Sequence, residues 1–254
     1  MREKLLFYFF IFFIFSISFA NEKVKIKEVN INIQREIIPL VEIEKEKEKE
    51  ENSLKEKKVL QKIESKIPLL NFPFNNDLTE KVKKQIYDYL IPVVGDEALI
   101  EFKSNYEIGI NDGRIFSIKL YSYEYYFGAA HGNSDIFAIN IDLKCKRFIK
   151  FFDIFAEKKH IYDEKTKTYK EIFPLEEIKK ILKEKIKNHL KCDIFEEEFN
   201  KCSYIPQIFL KKEGIEFIFP KYEITAGACG SFGLEIPYKE LKIYMRDDID
   251  FLKF

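Results

Sequence analysis

Residues 99 to 127 restrict the fold more than any other part of the chain. Two runs, 99–109 and 114–127, flank Asn111-Asp112-Gly113. Asparagine and aspartate followed by glycine supply the backbone conformations that reverse one strand into an antiparallel neighbour. Side chains alternate along a strand, so Phe116, Ile118 and Leu120 project from one face and Tyr121, Tyr123 and Tyr125 from the other. The next run, IFAINIDL, repeats the pattern. Phe137, Ile139, Ile141 and Leu143 share one side, while Ala138, Asn140 and Asp142 share the other, which predicts a half-buried third strand.

Two segments switch to a helical period. In DLTEKVKKQIYDYL, Asp77 and Glu80 stand at capping-box spacing and Leu78, Val82, Ile86 and Tyr89 or Leu90 form a stripe of about four turns. Pro174 opens the second helix where its missing N–H costs nothing, with Glu176 and Glu177 in the first turn. Its apolar stripe is Leu175, Ile178, Ile181, Leu182, Ile186 and Leu190. A hairpin around Glu213-Gly214, a last strand in SFGLEIPY and a short terminal helix follow. Without regular alternation of strand and helix, these elements predict an α+β fold: antiparallel sheets with two main helices packed on one side.

The amino-terminal twenty residues, MREKLLFYFFIFFIFSISFA, place Arg2 and Lys4 before an apolar run from Leu5 to Phe19. That run is shorter than the roughly 20 residues a spanning helix needs, and small residues precede Asn21, so 1–20 is expected to be a secretory signal cleaved after Ala20. The mature chain is then exported to the periplasm or beyond, held at a membrane only if the leader stays attached. Residues 21–59 follow as a strand, carried by Val24, Ile26, Val29, Ile31 and Ile33, and a charged linker, EKEKEKEENSLKEKK. Lysine plus arginine and aspartate plus glutamate both number 43, so no net field gathers a polyanion and nucleic acid is not expected as a partner. In an oxidising compartment Cys145, Cys192, Cys202 and Cys229 permit two disulfides, with Cys192 and Cys202 the closest candidates in sequence.

Chemistry-bearing residues are few. Tyrosines on one strand face can stack on sugar rings or anchor a protein partner. In FGAAHGN, His131 sits among residues too small to shield it, and a general base there would need Asp135 or Glu124 as its orienting carboxylate. No GxSxG elbow accompanies it. His131, His160 and His189 lie 29 residues apart without clustered carboxylates, so no metal site and no cofactor are expected. Gly227, Gly230 and Gly233 form a loop between strands and do not open a helix, so it is not a phosphate cradle.

Two segments together resemble a known family. YEYYFGAAHGNSDIFAINIDLKCKRFIKFFDIF, and Tyr222 to Tyr238 through Tyr222, Ile224, Ala228, Gly230, Ile236, Pro237 and Tyr238, are similar to the extracytoplasmic domain shared by the anti-sigma factor RsiV and the N-terminal part of the peptidoglycan deacetylase PdaC. Ile67-Pro68 and Asn75-Asn76 fit its first half. The likeness divides the globular part into 60–130, PdaC-like, and 131–254, RsiV-like, packed as one unit. Ala129, Ala226-Gly227 and Lys144-Cys145-Lys146-Arg147 depart from the family pattern, and the deacetylase half has no counterpart here. The resemblance implies a non-enzymatic cell-envelope module whose ligand is cell-wall glycan or a lysozyme-like protein, with Tyr121, Tyr123, Tyr125, His131 and Asn133 as contact residues. Two alternatives stay open: an envelope hydrolase using His131 with Asp135 or Glu124, and a structural protein that dimerises through its tyrosine face.

Overall fold

The computed structural model describes residues 23–37, 59–92, 98–189, 193–201, 203–249 and 252. Its largest unit is a six-stranded sheet in chain order: β1 (Lys25–Ile37), β2 (Val59–Asn71), β3 (Leu99–Asn111), β4 (Ile115–Tyr126), β5 (Asn133–Asp142) and β6 (Arg147–Phe148). All neighbours are antiparallel except β2 and β3, which run parallel because helix α1 (Asp77–Leu90) carries the chain back across one face between them. The β3–β4 hairpin turns where the sequence indicates. Asp112 Oδ1 accepts the Arg114 and Ile115 N–H groups at 2.8 and 2.7 Å, and Gly113 takes φ 91°.

Helix α1 is capped one residue earlier than Asp77–Glu80 suggests. Asn76 Oδ1 accepts the Thr79 N–H at 3.2 Å and Thr79 Oγ1 accepts the Asn76 N–H at 3.1 Å, a reciprocal box built from a short hydroxyl rather than a glutamate. Val82, Ile86 and Leu90 then pack on Phe116, Ile118, Leu120, Ile139 and Ile141, the apolar faces of β4 and β5.

A second sheet covers the opposite face. It orders β9 (Gln207–Leu210), β10 (Gly214–Phe219) and β11 (Phe232–Pro237) with β10 central. Phe209 and Ile218 turn inward onto Ile136, Ala138 and Tyr121, while Ile208, Leu210, Ile215, Phe217 and Phe219 turn outward. The outward set meets Ile178, Leu182 and Ile186 of helix α3 (Pro174–His189), together with Phe151 and Ile154 of the one-turn helix α2 (Phe151–Ile154), Phe199 of α4 (Glu196–Asn200) and Leu241 of α5 (Tyr238–Leu241). The layers therefore run α1, six strands, three strands, α3. The α+β class holds, but the two main helices lie on opposite outer sides rather than together. An amphipathic stripe specifies that a helix face is buried, not which sheet buries it.

Strand β9 has no strand neighbour on one edge among the described residues, and side chains of the large sheet occupy that position. Asn140 Nδ2 donates to the Ile208 carbonyl at 2.7 Å and Asn140 Oδ1 accepts the Leu210 N–H at 3.0 Å. Ser117 Oγ donates to the Leu210 carbonyl at 2.6 Å while accepting the Ile110 N–H at 2.7 Å. The sheets approach closely enough that a Cβ on Gly109 would stand 2.1 Å from the Leu210 carbonyl oxygen. A separate two-stranded hairpin, β7 (Lys159–Asp163) with β8 (Thr168–Ile172), lies between α2 and α3 in the chain.

Cys145 is a free, exposed thiol and Cys229 is disulfide-bonded. With Cys145 free, the two bridges that the even count allows do not both form. The expected candidates Cys192 and Cys202, the leader and the charged linker lie outside the described residues. No helix among the described residues is long and apolar enough to cross a membrane.

Candidate functional site

Strand register builds a polar stripe across the large sheet on the face away from α1. Asn30 and Asn32 of β1 lie opposite Lys66 and Glu64 of β2; Glu64 is level with Lys103 of β3; Lys103 and Asn105 lie opposite Tyr123 and Tyr121 of β4. Directly opposed residues point to the same side. The small sheet covers β4, β5 and the end of β3 near Gly109, and beyond it the stripe floors a groove of about 450 Å³, walled by Tyr121 and Tyr123. Ser65 and Ser104 fall between these positions and are buried, with Ser104 Oγ donating to the Leu90 carbonyl of α1 at 2.8 Å.

Tyr121 is held from behind by charge. Its hydroxyl donates to Glu107 Oε2 at 2.9 Å, and Lys119 Nζ stands 5.2 Å from its ring centre. Lys119 is 3% exposed and contacts Glu107 at 2.8 Å and Glu216 of β10 at 2.5 Å, which ties the two sheets together. Lys211 joins at 3.8 Å from Glu216 and 2.6 Å from Glu235. Burial disfavours the charge on Lys119, but hydrogen bonds to Glu107 and then Glu216 outweigh it and hold its pKa above the usual lysine value. Burial likewise works against ionised Glu107. Hydrogen bonds from Lys119 and Tyr121 prevail and keep its carboxyl below the usual range.

Tyr123 is braced differently. A Cβ on Gly132 would lie 2.3 Å from its hydroxyl oxygen, so the small-residue bend FGAAHGN accommodates this ring, and part of the space opened by its glycine is filled by the chain itself. Tyr125 lies opposite Glu101, half-buried, beyond the groove's lining residues. Lys103 pairs with Glu101 at 2.6 Å.

His131 is exposed. Its Nδ1 lies 3.0 Å from the Gly132 carbonyl and 3.5 Å from Lys221 Nζ, which also donates to that carbonyl at 3.2 Å. The carboxylates considered for it are engaged elsewhere: Asp135 Oδ1 accepts its neighbour Ile136 N–H at 2.8 Å, and Glu124 Oε2 accepts the Tyr126 hydroxyl at 3.1 Å. No carboxylate contacts His131 among the described residues. Asn133 is exposed, opposite Glu124 on β4. The two glycine-bearing loops do converge: Ser231 Oγ donates to the Ser134 carbonyl at 2.9 Å and accepts the Lys221 N–H at 3.0 Å.

Of the five contact candidates, Tyr121 and Tyr123 meet at the groove and Tyr125 lies beyond it, while His131 sits on the adjoining loop and Asn133 begins β5. Sequence reasoning missed Asn30, Asn32, Lys66, Lys103 and Asn105, which enter through strand pairing. It also missed the charges behind Tyr121, which come from positions nearly a hundred residues apart. Among the described residues no group of three or more histidine, cysteine or acidic side chains could hold a metal ion.

Residues 153–239 match DUF3298, a protein family of unknown function. The matched segment runs from α2 to α5 and carries the small sheet, not the groove. Two solved structures are similar to the chain. A DUF3298 family member from Bacteroides fragilis is 15% identical, with 90% of this chain and 96% of that one covered and a TM-score of 0.50. A DUF3298 family protein from Pseudomonas aeruginosa is 16% identical, with 88% and 95% covered and a TM-score of 0.49. At such identity the likeness to the first concerns the fold. No curated protein matches the chain in sequence.

Proposed function

We propose that this protein is an exported, non-enzymatic binding module of the cell envelope that takes a cell-wall glycan strand into the groove crossing β1 to β4. The observation that carries the reading is the register-built stripe: two tyrosines beside Asn30, Asn32, Asn105 and Lys66 in an open trough. Tyrosine rings offer flat apolar area with a polar tip, and amides with an ammonium offer donors and acceptors to hydroxyls and N-acetyl groups. The disulfide at Cys229 and the leader-like residues 1–20 support export. The likeness to the extracytoplasmic domain of RsiV and PdaC supplies both ligand classes, and an open sheet trough suits a linear glycan better than a folded protein. A hydrolase reading would need a carboxylate at His131, and the dimer reading would need Tyr121 free of the small sheet against which it packs.

The test is calorimetric titration of residues 21–254 with muramidase-released peptidoglycan fragments, and separately with lysozyme. Micromolar to millimolar binding to fragments, weakened at least tenfold by Tyr123→Ala and by Asn32→Ala, is expected. Binding to lysozyme alone, or binding unaffected by both substitutions, removes the glycan assignment.

A further inference from the structure

Strand β5 has an unfinished edge. Asn140 passes its carbonyl to the Ile149 N–H at 2.8 Å, away from β4, whereas the Leu143 N–H points back to the Arg114 carbonyl beside β4 at 2.8 Å. The even-numbered residues of β5 therefore direct their backbone groups outward, and the odd-numbered ones bond to β4. Following that edge, the Ser134 carbonyl is taken by Ser231 Oγ and the Ile136 N–H by Asp135 Oδ1. The next four outward groups, Ile136 C=O, Ala138 N–H, Ala138 C=O and Asn140 N–H, have no partner among the described residues, because β6 pairs only with Ile141 and Asp142.

Beside this gap lies a cavity of about 510 Å³. Gln85 of α1 and Phe148 line it on the α1 side, and Phe151, Ile205, Pro206 and Gln207 on the side of the small sheet. The Gln207 Oε1 atom is buried without a hydrogen-bond partner, an acceptor waiting for a donor. Four consecutive unpaired main-chain groups, apolar walls on both sides and an orphan amide oxygen are the complement of an extended peptide: a donor and acceptor on every second residue, with apolar side chains alternately up and down.

We propose that this groove is a peptide-docking site in which an extended segment of another protein, apolar at alternate positions, adds to β5 opposite Ala138. A single strand fits. The walls rise on either side of the edge, so a second copy of the whole sheet is kept from it. Four outward groups reach over roughly three residues at about 3.3 Å each, so the docked stretch is short. The site is separate from the glycan groove, which lies across β1 to β4.

Hydrogen exchange of the full mature chain, read residue by residue, is the first test. In the free protein the Ala138 and Asn140 amides should exchange at least a hundredfold faster than those of Phe137 and Ile139, which bond to β4. Equal protection would mean that the chain already covers this edge, and the proposal falls. Second, a phage library of random heptapeptides is panned against the mature chain. Enrichment of sequences apolar at alternate positions, which bind at least tenfold more weakly to Ala138→Pro and to Ile205→Asp while Tyr123→Ala leaves them unchanged, is the result expected. The first substitution removes one N–H at an edge where proline is tolerated, and the second places charge on a wall residue that is 41% exposed. No enrichment, peptides indifferent to both variants, or a concentration-dependent dimer abolished by Ala138→Pro would each overturn it.

Discussion

Lys119 offers the most demanding check on how the two sheets are held together. Replacing it with methionine keeps most of the stem packed near Phe209, whose ring centre lies 4.8 Å from the ammonium, and removes only the charge. Two carboxylates lose their partner, with unequal consequences. The Glu107 side chain is 38% exposed and can be rehydrated, so its share is small. The Glu216 side chain is 11% exposed, and its remaining cation, Lys211, stands 3.8 Å away and is already engaged by Glu235. Leaving one buried charge without its partner costs about 3 to 5 kcal/mol, and the residual attraction to Lys211 points to the lower end, about 3 kcal/mol. Urea unfolding followed by circular dichroism measures this as a lowered midpoint at unchanged slope. The double variant Lys119→Met with Glu216→Leu removes the stranded charge and should recover more than half of the loss. If Lys119→Met costs under about 1 kcal/mol, or if the double variant loses the sum of the single losses, the network does not couple the sheets and the reasoning is wrong.

Three further outcomes follow from other contacts. Asn140→Leu strands the Ile208 carbonyl and the Leu210 N–H between the sheets and should destabilise by about 2 to 6 kcal/mol in the same unfolding assay, at about 1 to 3 for each unsatisfied group. Gly132→Ala drives a methyl into the Tyr123 ring, so fragment affinity should fall severalfold while the melting temperature moves by only a few degrees. The network also sets a pH window. The Glu107 carboxyl is held below its ordinary 4.5, so its contribution is present above that pH and is lost as pH falls through the lowered value. Lys119 is held above its ordinary 10.5, so its contribution is present below that pH and is lost as pH rises through the raised value. Stability attributable to the pair should therefore be flat between about pH 5 and 10 and decline on both sides, and Lys119→Met should flatten both limbs.

What could be read from the sequence divides along physical lines. The β3–β4 hairpin, the alternation of β5 and the start of α3 at Pro174 rest on local chemistry, turn residues and side-chain period, and the structure has them as expected. Strand β5 is not half-buried, however: the small sheet covers its polar side, and Asn140 and Asp142 are buried. Strand β2 was not legible, because two of its inward positions are polar. Gln61 and Ser65 are buried alongside Ile63 and Ile67, and Gln61 is satisfied by the Leu99 carbonyl at 2.6 Å and by Arg35 Nε at 2.7 Å. Alternation counts apolar side chains and does not register a glutamine whose partners come from β1 and β3. Missing β2 concealed the parallel junction with β3, and with it half of the groove. Tyr121 and Tyr123 were visible because they share one strand; Asn30, Lys66 and Lys103 reach them only after pairing. The side of the molecule on which each long helix packs depends on which sheet it meets, information held in contacts between distant segments.

The seam between β2 and β3 joins four register pairs, Lys62 to Ser65 with Glu101 to Ser104, against thirteen between β1 and β2. The amino-terminal ribbon is thus fastened firmly within itself and lightly to its neighbour, and the trough straddles that light fastening. Anything rigid lying across it from Asn32 to Tyr121 would work as a splint, stiffening a joint that the backbone alone leaves compliant.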